Sequence, residues 1–164
     1  MKRILLAFSL LSAFSFSQVE AASNGFFNNL AGNWSGSGQA YLPKLGDVSA
    51  DCQLSITGGE VKAAMNGSCG LLVFRKALGF TLRHVAGNRY VGTYTGSRTG
   101  PAKLEGTLQG DRLVMSITWG GLVNGDRTAQ MVLTRTGSNS FAQTVIDNVA
   151  GKTRSTSAFN FKRS

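Results

Sequence analysis

Between Ala102 and Trp119 the chain alternates apolar and polar residues about a Gly110-Asp111 pair, and no helix or linker accommodates that pattern. Folding the segment at Gly110-Asp111 sets Leu108 opposite Leu113, Gly106 opposite Met115, Leu104 opposite Ile117 and Ala102 opposite Trp119. One face is wholly apolar or glycine. The other carries Lys103, Glu105, Thr107, Gln109, Arg112, Ser116 and Thr118. A two-stranded ribbon wet on one side must bury the other against more sheet.

The same grammar recurs along the chain. Phe80–Ala86 and Arg89–Gly96 flank Gly87-Asn88, while Asp51–Thr57 leads through Gly58-Gly59 into Val61–Gly67. Arg127–Thr136, Ser140–Asp147 and Thr153–Lys162 follow, and Trp34–Leu42 stands at the front. The expectation is an all-β protein: an antiparallel up-and-down meander of eight to ten strands closing into a barrel, which removes exposed sheet edges. Asn24–Ala31 is the one stretch with a helical look, a short turn ahead of the first strand. Two glycine-rich stretches, Gly96–Pro101 and Gly120–Asp126, are expected as loops at a barrel mouth.

Ahead of this meander lies a different kind of segment. Lys2 and Arg3 precede an apolar run from Ile4 to Phe16, and Val19-Glu20-Ala21-Ala22 offers small residues for cleavage after Ala21 or Ala22. This is the pattern of a secretory signal peptide over residues 1–21, leaving residues 22–164 as one β-barrel domain in the periplasm or outside the cell. The apolar run is short for a bilayer span, so no transmembrane segment is expected in the mature chain. In an oxidising compartment Cys52 and Cys69 read as a disulfide. It would close a loop of 17 residues and stabilise by about 3 kcal/mol. A single histidine, His84, rules out a Cys/His zinc cage, and no metal or other cofactor is expected.

Lys+Arg number 17 and Asp+Glu 8, for a net charge of +9; removing Lys2, Arg3 and Glu20 makes it +8. The cations are scattered, with Arg75-Lys76 and Lys162-Arg163 the doublets, which argues against a nucleic-acid face. Such a field first of all keeps a protein soluble, and it also suits an anionic envelope polymer, lipid or acidic protein as partner. The catalytic inventory is thin: seven scattered mature carboxylates, one histidine flanked by Leu82 and Phe80 on its face, and no nucleophile elbow at Gly36-Ser37-Gly38. A non-enzymatic role follows. Tyr90, Tyr94, Trp119 and Phe141, alternating on strands, are the candidate ligand-binding residues. A barrel of about eight strands is just wide enough for side chains to fill it, so a packed interior is the first expectation, and Gly92 and Gly106, which would leave room inside, argue for a cavity instead.

Gly32-Asn33-Trp34, after a helical turn and at the head of the first strand, resembles the opening of the calycin superfamily of lipocalins, avidins and bacterial metalloprotease inhibitors. The resemblance implies that Trp34 plugs the closed end of a barrel, that Gly32 permits close packing there, and that a basic residue from a late strand, matched to Arg135, packs on the tryptophan. Avidins line their site with several tryptophans, and with Trp119 alone beyond Trp34 a biotin site is not implied. Leu30-Ala31-Gly32-Asn33-Trp34 and the cysteine pair are similar to the exported metalloprotease inhibitors, which act through an N-terminal trunk; here Ser23–Asn29 would have to serve. Three functions stay open: an exported binder of a small apolar ligand or envelope component, an inhibitor-like barrel with a protein partner, and a structural envelope protein.

Overall fold

A computed structural model describes residues 25–71 and 73–164; the expected signal segment lies outside them. After α1 (Phe26–Leu30) come β1 (Gly32–Leu42), β2 (Gly46–Gly58), β3 (Lys62–Leu71), β4 (Phe74–Ala86) and β5 (Arg89–Tyr94). β6 (Ala102–Gln109), β7 (Arg112–Val123), β8 (Asp126–Gly137), β9 (Ser140–Val149) and β10 (Lys152–Arg163) complete the chain. Every strand pairs antiparallel with its chain neighbours, and β1 also pairs with β10, so the meander closes into a ten-stranded barrel.

The register of β6 and β7 follows from the alternation. Leu108 faces Leu113, Gly106 faces Met115 and Leu104 faces Ile117, with all five of these apolar side chains buried and Lys103, Glu105, Gln109, Arg112, Ser116 and Thr118 exposed. Boundaries differ elsewhere. β2 starts at Gly46 and β4 at Phe74, because pairing in a closed sheet extends strands through stretches such as Phe74-Arg75-Lys76-Ala77 that carry no alternation of their own. Gly120–Asp126 is not a loop: β7 runs on to Val123 after a register slip, and Asn124-Gly125 alone turns the chain. Both turn residues have positive φ, 55° and 107°, the geometry that lets a two-residue hairpin follow the strand twist. Gly96–Pro101 is a true connection, with Ser97 Oγ accepting from the Thr99 backbone N–H at 3.1 Å.

The two ends of the barrel are built differently. At the closed end α1 buries Phe26, Phe27 and Leu30, and Phe27 meets Tyr90 and Phe80 at ring distances of 5.5 and 6.4 Å. A five-residue helix has no stability of its own. It is held by that burial and by partners for its last carbonyls. Trp34 Nε1 donates to Leu30 O at 2.8 Å, while Arg163 donates to Asn29 O at 2.8 Å and Ala31 O at 2.7 Å. At the opposite end, the mouth, the β1–β2, β3–β4, β5–β6, β7–β8 and β9–β10 connections gather.

Candidate functional site

The interior is filled at the closed end and hollow towards the mouth. Trp34, 1% exposed, meets Phe141 edge-to-face at 4.9 Å, and Phe141 stacks on Phe161 at 4.6 Å. This aromatic floor lies against glycines of β1: a side chain at Gly36 would collide with the Phe161 ring, and one at Gly38 with Phe159. Above the floor the barrel encloses a cavity of about 240 Å³. That is slightly below the ~300–1,000 Å³ usual for ligand pockets.

The wall is mostly apolar: Ala40, Leu54, Met65, Leu78, Met131, Leu133, Phe159 and the Cys52–Cys69 disulfide. Cys52 and Cys69 are register partners on β2 and β3 with Cα atoms 4.0 Å apart, so the expected disulfide joins neighbouring strands and forms part of the cavity surface. Polar atoms come from Tyr41, Lys76, Tyr94, Gln143 and Ser157. Gln143 Nε2 donates to Ser157 Oγ at 3.2 Å. Tyr41 lies under Arg154, 4.5 Å from its ring centroid, and Arg154 in turn donates to both Asp47 carboxylate oxygens at 2.7 Å.

Of the aromatics singled out from sequence, Tyr94 and Phe141 line the cavity, and Tyr90 and Trp119 do not. Tyr90 is drawn to the closed end, where it packs on Phe27 and lies 5.3 Å from His84. Trp119 packs on Tyr94 at 6.2 Å, outside the cavity wall, with its buried Nε1 lacking an acceptor among the described residues. Gly92 and Gly106 do not leave the room expected of them. The space above Gly92 is taken by the Leu82 side chain and that above Gly106 by Met115, both from the adjacent strand. His84 is half-buried and donates from Nε2 to Gly87 O at 2.7 Å.

The residue on the Trp34 ring is Arg163 and not Arg135. The Arg163 guanidinium lies 4.4 Å from the Trp34 ring centroid, whereas Arg135 pairs with Asp111 in the β6–β7 turn. Barrel closure explains the difference: Trp34 and Arg163 are register partners across β1 and β10, and Arg135 lies on β8, separated from β1 by β10 and β9. Gly32 serves that clamp, since a Cβ there would collide with Arg163 Nη1.

Burial sets the electrostatics. Desolvation pushes the Tyr94 phenol up to about 12, so it stays neutral and acts as a hydroxyl at the cavity wall. Desolvation and then the nearby Glu60 raise Tyr90 above its ordinary value. Asp147, buried on β9, is likewise raised, chiefly by desolvation, although Asn124 Nδ2 at 2.9 Å and the Asn148 backbone N–H at 2.8 Å both donate to it. Among the described residues no group of three or more His, Cys, Asp or Glu converges as metal ligands, and no helix is long and apolar enough to cross a membrane.

No protein-family model matches the chain, nor does any curated protein. Among solved structures the barrel is similar to Rv2717c from M. tuberculosis, with a TM-score of 0.64 and 16% identity over 83% of this chain and 93% of that one. It is also similar to the S-type phycobiliprotein lyase CPES from Guillardia theta, with a TM-score of 0.60 and 13% identity over 85% of this chain and 90% of that one. Likeness at these identities shows a shared ten-stranded antiparallel barrel and carries no chemistry with it.

Proposed function

We propose that the protein is an exported, non-enzymatic, calycin-like barrel that holds a small apolar ligand in the cavity on its mouth side, in the periplasm or outside the cell. The observation that carries this is the half-hollow interior: an aromatic floor at the closed end beneath about 240 Å³ lined mainly by apolar side chains. The signal-like leader and the Cys52–Cys69 disulfide support export. A phycobiliprotein lyase built on a similar barrel is consistent with a ligand site in such a scaffold. Native mass spectrometry of protein from its own host, followed by titration with the neutral probe N-phenyl-1-naphthylamine, tests it. A co-purifying small molecule and saturable probe binding are expected; a clean apo mass with no saturable binding overturns it.

An inhibitory trunk fits poorly, because Phe26, Phe27 and Leu30 are spent on closing the barrel. Contact with an anionic envelope lipid is favoured by one observation. Leu45, Val73, Phe74 and Leu122, all at the mouth connections, are 60%, 89%, 73% and 66% exposed, and Lys44, Arg75 and Lys76 stand beside them. Co-sedimentation with phosphatidylglycerol vesicles, reduced in Leu45→Ser/Phe74→Ser and absent with phosphatidylcholine, would support it. Equal sedimentation of the variant would sink it.

A further inference from the structure

We infer that the cavity is built for an amphiphile: an apolar body within the barrel and an anionic head at the lip, met by Lys76. The inference rests on the cavity being a ligand site. On β4, Leu82 and Phe80 are buried and Leu78 lines the cavity; two residues further towards the mouth, Lys76 continues the same face. Lys76 is register partner to Cys69, whose disulfide is part of the wall. The chain thus sets a cation where the alternation calls for another apolar residue. Its stem covers apolar wall while its ammonium reaches water, so the charge sits at the opening and not in the floor.

Two other polar groups at or near the wall are already engaged. Arg154, the nearby guanidinium over Tyr41, is neutralised by Asp47, and Gln143 is bonded to Ser157. Lys76 has no carboxylate partner among the described residues, where the ion pairs are Arg135–Asp111 and Arg154–Asp47. A bound molecule with a carboxylate or phosphate head gains a charge-assisted contact that a neutral one lacks, and a cationic one is repelled. The floor beneath Lys76 offers only rings and aliphatic groups, which suits the rest of such a molecule.

Displacement of N-phenyl-1-naphthylamine at fixed ionic strength by decanoate, decyl phosphate, 1-decanol and decyltrimethylammonium reads the head-group preference. At least one anion is expected to bind about tenfold more tightly than decanol, as charged hydrogen bonds do, with the cation weakest; the two anions separate a carboxylate head from a phosphate head. Lys76→Gln should level anion and alcohol, and Lys76→Arg should keep the preference, with both variants melting like the parent because Lys76 is exposed. Equal binding of anion and alcohol, or a preference that survives Lys76→Gln, overturns the inference and leaves the cavity standing. If the probe itself fails to bind, the cavity proposal falls and this inference with it.

Discussion

The Arg163 guanidinium lies 4.4 Å from the centroid of the Trp34 ring, and the two residues face each other across the β1–β10 seam that closes the barrel. The same side chain donates to Asn29 O, Ala31 O and Asn139 Oδ1, so one arginine joins the buried Trp34, the end of α1 and the β8–β9 turn. It stands where a helix C-terminus gains most from a cation.

Arg163→Ala should therefore lower stability by about 2–3 kcal/mol, from the lost cation–π contact and the carbonyls left without donors. Arg135→Ala removes a pair whose side chains are 27% and 57% exposed and should cost about 1 kcal/mol or less. Gly32→Ala should resemble Arg163→Ala, since φ at Gly32 is +131° and the new methyl meets the guanidinium. Urea unfolding of the three variants ranks them; a larger loss for Arg135 than for Arg163 would refute the clamp.

Sequence alternation shows which residues share a face within a hairpin, as in Leu108–Leu113 and Leu104–Ile117. It does not show which residue of the last strand meets which of the first, because that pairing depends on closure and stagger. Arg163 follows only once Trp34↔Arg163 is known. The cavity wall was hidden for a related reason. Lys76, Gln143 and Ser157 break the apolar period on β4, β9 and β10, and a polar residue in an alternating strand reads as outward-facing. Counting by twos back from the buried Phe80 through Leu78 places Lys76 on the inner face. The inward glycines leave no room because their neighbours, Leu82 and Met115, lean over them, which no single-strand pattern reveals.

Reduction of Cys52–Cys69 should lower stability by about 3 kcal/mol, the cost of releasing a loop closed across 17 residues. Because both sulfurs line the cavity, Cys52→Ala/Cys69→Ala should also alter probe affinity, while a disulfide remote from the site would change stability alone. Guanidinium unfolding with and without reductant, with thiol content verified by mass, makes the comparison. An unchanged midpoint in fully reduced protein would rule the staple out as a source of stability.

Tyr94 should ionise well above the ordinary tyrosine range. Its phenol is raised from 10.0 to about 12 by burial, so the folded state favours the neutral form. That contribution to stability is complete below pH 10 and is lost as pH climbs from 10 towards 12. Difference absorbance of the phenolates should show a late step that coincides with unfolding, and Tyr94→Phe should diminish that step while retaining more stability at high pH. A phenolate step near the ordinary value that Tyr94→Phe removes, in protein still folded, would contradict the burial of Tyr94.

Phe141 belongs both to the floor of the cavity and to the plug, which makes its removal the sharpest test of how the two share the interior. Its ring touches Trp34 edge-to-face at 4.9 Å and stacks on Phe161 at 4.6 Å, with 1% of the residue exposed. Phe141→Ala should cost about 3–5 kcal/mol, the usual loss for a buried aromatic. The space released adjoins the existing 240 Å³ and is lined by rings, so it should stay apolar and add to the cavity. The variant should be less stable when empty, should recover part of that loss when an apolar probe is present, and should accept longer chains than the parent. Thermal shift across alkanols of increasing length reads all three. If the optimum length does not move while stability falls, the floor has collapsed onto Trp34, and the cavity is bounded by the plug and not by Phe141.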